Sequence, residues 1–154
     1  VFDDVKDVLD AFSREVMYVG PIPKAMVLKL ALNNLGLCIP AVLAESIALL
    51  ELWGVDIAKL REVSRKLWFG DVVERYWERA LGTSKEVRFR LALAAKDMNC
   101  ISRSLTEKGL PSIVSSAFAN LYATAASNGY ASEDYPKVVR YLLEKARKIS
   151  KSNS

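Results

Sequence analysis

The sequence contains no histidine. Ser-His-Asp and Cys-His catalytic arrangements are therefore excluded, and any acid-base work falls to Lys, Asp, Glu, Tyr or Cys. Two cysteines cannot supply a four-ligand zinc site, so no metal site is expected. Cys38 and Cys100 are also too few for a disulfide framework; their apolar settings suggest reduced, buried thiols in a cytoplasmic protein. Neither G-x-G-x-x-G nor G-x-x-x-x-G-K-[ST] occurs, so this chain carries no phosphate-cradling loop of either kind. No apolar run reaches the ~18 unbroken residues of a membrane span, because Lys29, Asn33, Asn34, Glu45 and Glu51 interrupt the most apolar stretch. The first residues, VFDDVKDVLD, lack the apolar segment of a signal peptide. The chain starts at Val1 and not at Met, so an excised or trimmed segment is expected.

What remains is 154 residues, enough for one domain with a sizeable core, with a net charge of +4 that lies largely in the tail 145–151. The organising stretch is 19–34, VGPIPKAMVLKLALNN. It opens a helix expected over 22–53, aliphatic at Leu28, Leu30, Leu32, Leu35, Leu37, Ile39, Leu43, Ile47 and Leu50. A helix apolar on most faces is expected to be buried on most faces. Lys29 and Asn33 stand four apart, so their heads project from one face. Either Lys29 snorkels outward while Asn33 bonds a neighbouring helix, or this face is one wall of a site for a small anion or alcohol.

Along the chain, 2–12 has the spacing of a short amphipathic helix and 15–19, EVMYV, reads as a strand. One strand needs partners, which suggests that 1–19 is the tail of an α/β nucleotide-binding domain. Pro40 predicts a kink inside the long helix, with room for it at Gly36, and Gly54 ends that helix. Further helices are expected over 57–67, with Asp56 as N-cap, and over 70–81. Thr83 to Glu86 has the capping-box spacing and predicts a helix over 84–108. Two more follow over 111–128 and from Asp134 to about 148, with 150–154 as a disordered tail. The fold class expected for 20–149 is an all-α helical bundle around one long central helix.

These motifs, in this order, resemble the C-terminal half of the β-hydroxyacid dehydrogenases, the family of 3-hydroxyisobutyrate dehydrogenase, tartronate semialdehyde reductase and the glyoxylate/succinic semialdehyde reductases. Gly20, Lys29 and Asn33 fall at the spacing of the family's K-x-x-x-N helix, and Asn34 follows. Phe89 to Met98 matches F-x-L-x-L-x-x-K-D-[LM]. The stretch LPSIVSSAFANLYATAASNGYASEDYPKVVRYL is similar to the family's proline-started helix, turn and aspartate-capped last helix. The turn before Lys29 is Pro23-Lys24-Ala25 where the family has G-x-G, and Pro40 is unusual for such a helix.

The resemblance implies a bundle like the C-terminal domain of 6-phosphogluconate dehydrogenase. It also implies an NAD(P)-dependent oxidoreductase that interconverts a small hydroxy acid and its aldehyde or semialdehyde. In that reading Lys29 is catalytic, Asn33 and Phe89 bind substrate, and Lys96 contacts the cofactor, which is NAD or NADP. Asp97 is expected to be a structural partner within its helix. The chain is expected to be inactive without an N-terminal cofactor domain and to form a homodimer or higher homo-oligomer, with no nucleic-acid or membrane partner. The alternative reading is a stand-alone helical dimerisation or binding module that has lost catalysis.

Overall fold

The computed structural model describes residues 2–152. Its helices are α1 (Phe2–Asp10), α2 (Lys24–Leu52), α3 (Ile57–Ser64), α4 (Gly70–Leu81), α5 (Leu91–Thr106), α6 (Val114–Ala125) and α7 (Val138–Ser152). No strand forms among the described residues. The all-α bundle around one long helix is the architecture expected from the sequence. The expected strand at 15–19 is extended chain without a ladder, because no second strand in this chain offers its edge groups. Gly20, at φ +115, then turns the chain towards α2, in a conformation that L side chains rarely adopt. No residue of α1 is buried.

Helix α2 runs through Pro40 without ending. Proline lacks the N–H that would bond the carbonyl of Gly36, and the hydroxyl of Tyr76 on α4 donates to that carbonyl instead, at 3.3 Å. One residue on, the Leu37 carbonyl accepts from Tyr122 on α6 at 2.7 Å. Two tyrosines from two helices thus clasp the turn that proline weakens. Around it Ala41, Ala44 and Ile47 are fully buried against Leu91, Ala94 and Met98 of α5 and Val138 and Val139 of α7. The small alanines let neighbouring backbones approach closely.

The first half of α2 is largely exposed, and its second half is buried on one face only, with Val42, Leu49 and Leu52 also exposed. Leu37, Pro40, Ala41, Leu43, Ala44 and Ile47 are inside, whereas Met26, Val27, Leu28, Leu32 and Leu35 are exposed. By length and hydropathy alone α2 would suit a bilayer crossing, but its second half is packed by α3 to α7 as a core helix is. The expected buried thiols also need correction, since Cys38 is half-buried and Cys100 is exposed.

Several boundaries differ from expectation: α3 ends at Ser64 and not at 67, α6 spans Val114–Ala125 within the expected 111–128, and the larger differences lie at α5 and α7. The helix begun at Ser84 starts only at Leu91, although the Ser84 hydroxyl still accepts from the N–H of Glu86 at 3.2 Å. Residues 82–90 are held by long-range contacts instead. The Asp134 carboxylate accepts from the backbone N–H groups of Arg88 and Phe89 at 3.2 and 3.1 Å, and from Arg79 Nε at 3.0 Å. Asp134 therefore does not cap α7 with its side chain. A 3-10 turn, Tyr135–Lys137, stands between them. Helix α7 continues to Ser152, so 150–152 of the expected tail is helical, while 153–154 lies outside the described residues.

Candidate active site

The exposed half of α2 meets α5 at one point. Asp97 lies on the buried stripe of α5 with Ala94, Met98 and Ile101, and its side chain is only 2% exposed. An ionised carboxylate in that position requires partners. Three are present. Lys29 Nζ and Asn33 Nδ2 both donate to Asp97 Oδ2, at 2.8 and 2.6 Å. Lys96 Nζ lies 2.7 Å from Oδ1 as an ion pair, at an angle that leaves Oδ1 without a formal hydrogen bond.

Burial pushes the Asp97 carboxyl up, but the hydrogen bonds from Lys29 and Asn33 and the adjacent Lys96 ammonium outweigh it, and the net direction is below the ordinary range. The same carboxylate, 2.7 Å away, raises Lys96 above the usual lysine value. Two ammoniums and one carboxylate give the cluster a formal charge of +1. The lysine side chains are 48% and 60% exposed, so both heads can meet a ligand and exchange protons with water. Each ammonium has N–H groups beyond the one aimed at Asp97, and Asn33 keeps its amide oxygen as an acceptor. Lys29 thus lies at a wet rim, not in a dry setting.

Of the sequence-predicted residues, the structure brings Lys29, Asn33 and Lys96 together on Asp97. Phe89 lies apart from that carboxylate. It precedes α5, and its ring stacks edge-on against Tyr135 with centroids 6.0 Å apart. Phe89 and Asn33 nevertheless line one small pocket. Sequence reasoning missed the central role of Asp97. The available signal was its register, since a carboxylate on the apolar stripe of α5 demands cationic partners from another helix.

The family model described as the NAD-binding domain of NADP-dependent 3-hydroxyisobutyrate dehydrogenase matches residues 24–142. The chain belongs to the 3-hydroxyisobutyrate dehydrogenase family. That family is one of NAD(P)-dependent dehydrogenases, and the helices that carry Lys29, Asn33, Lys96 and Asp97 all fall within the matched span. Among solved structures, the crystal structure of 3-hydroxyisobutyrate dehydrogenase from Salmonella typhimurium superposes with a TM-score of 0.73 at 22% identity, a likeness of fold. The match covers 91% of this chain and 50% of that one, so the chain spans half the length of that relative. No curated protein sequence matches significantly.

The donor set suits one end of a dinucleotide cofactor. Lys96 carries an exposed ammonium, and the cluster's net positive charge favours an anionic neighbour. The glycine-lined turn that would hold a pyrophosphate has no counterpart in the sequence.

Proposed function

We propose that this chain is the helical substrate and dimerisation domain of an NAD(P)-dependent dehydrogenase acting on a small hydroxy acid and its aldehyde or semialdehyde in the cytoplasm. The observation that carries the reading is the junction of Lys29 and Asn33 on one buried carboxylate, with both heads left open to a ligand.

The bound nicotinamide supplies or accepts the hydride. This chain's part is the proton and the positioning. In the reducing direction the Lys29 ammonium gives a proton to the substrate oxygen as the carbonyl becomes an alcohol, and the amine left behind takes its next proton from water at the exposed rim. Asn33 holds the same oxygen or the substrate carboxylate through its amide. Asp97 fixes the direction of both heads, and Phe89 forms the apolar wall beside them. Lys96 presents its ammonium to the cofactor. Without a phosphate-binding loop, this chain alone does not turn over substrate, and the reading applies to the full-length protein that carries it.

The test uses that full-length protein. Lys29→Ala should lower kcat by roughly 10²–10⁴, the usual range for losing a general acid or base, and Lys29→Arg should restore little because a guanidinium does not release its proton. Nicotinamide binding, followed by fluorescence, should be unchanged. If Lys29→Ala raises only KM, Lys29 is a binding charge and the proton has another source.

A further inference from the structure

Lys29, Asn33 and Gly36 stand at i, i+4 and i+7 on α2, so they share one face of the helix. This half of α2 is lightly held. No residue of the helix before Leu37 is buried, and Leu30 is only partly covered by the core. Asp97 meets its side chains at Lys29 and Asn33, and Tyr76 of α4 meets its backbone at Gly36.

Pro40 creates the need for the second of these contacts. In an unbroken helix the N–H of residue 40 would bond the Gly36 carbonyl, and proline has no N–H to give. Tyr76 is 7% exposed. Its hydroxyl donates to that carbonyl at 3.3 Å and accepts from the Tyr135 hydroxyl at 3.1 Å. The Arg79 guanidinium, one turn along α4, lies over the rings of Tyr76 and Tyr135, at 5.6 and 5.1 Å from their centroids, and is itself paired with Asp134. The Tyr76 hydroxyl is therefore fixed before it reaches α2. It defines where the Gly36 carbonyl sits, and with it the direction in which the turns bearing Asn33 and Lys29 leave the core. Asp97 fixes only the tips of those side chains.

Building on the dehydrogenase reading above, we infer that Tyr76 is a positioning residue for the reaction. Its hydroxyl stands in for the N–H that Pro40 lacks, and so aligns the Lys29–Asn33 face of α2 with Asp97 and with the substrate oxygen. Proton transfer needs that alignment, because donor and acceptor must come within hydrogen-bond reach.

The test compares full-length wild type, Tyr76→Phe, Pro40→Ala and the double variant on 3-hydroxypropionate and 3-hydroxyisobutyrate, with amide hydrogen exchange of 25–39 followed in parallel. Tyr76→Phe keeps the ring and loses the hydroxyl. Its kcat should fall roughly tenfold, short of the ~100-fold that a displacement of about 1 Å costs, with KM within about threefold, and exchange in 25–39 should quicken. Pro40→Ala alone should stay close to wild type in both. Alanine at position 40 returns a backbone donor to Gly36, so the double variant should recover kcat to within about threefold of wild type and slow the exchange again. A hydroxyl that only stabilises the fold would lower Tm in Tyr76→Phe and leave kcat, measured well below Tm, unchanged. That result overturns the inference, as does a double variant no faster than Tyr76→Phe. Exchange that follows the expected pattern while no form turns over either acid sinks the dehydrogenase assignment and keeps the Tyr76 contact as the device that sets α2. Turnover with neither kcat nor exchange altered in Tyr76→Phe sinks the positioning role and keeps the dehydrogenase.

Discussion

Replacing Asp97 with asparagine removes one charge and preserves shape, which makes it the sharpest probe of the junction. Two opposing effects set its magnitude. The carboxylate receives hydrogen bonds from Lys29 and Asn33, each worth ~1.5–3 kcal/mol when one partner is charged. Against this stands the desolvation of a carboxylate that is 2% exposed, several kcal/mol per ion. Both lysines are about half exposed and can rehydrate, so the loss on their side is small. The net change in fold stability should be only about 1–2 kcal/mol, a few degrees in Tm for a domain of this size. The functional change should be larger. Lys29 would regain up to ~2 kcal/mol of side-chain freedom, and Lys29 and Lys96 would face one another uncompensated. We expect kcat of the full-length protein to fall about 10–100-fold. KM should stay level or fall, because the junction's formal charge rises from +1 to +2 and still attracts a carboxylate. Acid unfolding adds an independent readout. A carboxyl held below its unfolded value, about 3.9, stabilises the fold above that pH and loses the contribution as pH falls through the folded value. The wild type should therefore lose stability below about pH 4 more steeply than Asp97→Asn. A kcat within twofold of wild type, together with superimposable acid profiles, would refute the positioning role.

Two further predictions concern the frame around the site. Asp134→Ala leaves the Arg79 guanidinium half-buried and unpaired and frees the N–H groups of Arg88 and Phe89; it should cost about 3–5 kcal/mol by urea unfolding, and a loss under 1 kcal/mol would show that loop 82–90 is held otherwise. The exposed aliphatic half of α2, with Trp53 and Trp68 also uncovered, predicts self-association at micromolar concentration; sedimentation equilibrium that returns only monomer mass would count against a homodimer.

Local signals read correctly at several of the chain's own punctuation points, though the helix expected from Pro111 starts only at Val114. Gly70 to Leu81 forms the helix expected of it, and Asp56 caps α3, its carboxylate accepting from the N–H of Ala58 at 2.9 Å. Errors arise where distant residues compete for the same groups. The capping-box sequence at Thr83 starts no helix because Asp134, about fifty positions on, claims the N–H groups of Arg88 and Phe89. The strand expected at 15–19 has composition but no neighbour. Lys29 and Asn33 could be paired from their spacing alone, whereas the carboxylate that joins them lies more than sixty residues away in sequence, and no local pattern encodes that distance.

Pro40 gives α2 a place where one rung of its ladder is missing, and the replacement comes from Tyr76 on α4. The half of α2 that bears Lys29 and Asn33 is thus moored to its packed half partly by a side chain from another helix. α4 is in turn strapped to α3 by Arg61 and Arg65 on Glu74, whose carboxyl those hydrogen bonds bring down to about 2. Through this mooring α4 acts as an outrigger to the site. It places no atom on the Asp97 junction, yet the bearing of the Lys29 arm depends on where α4 is fastened.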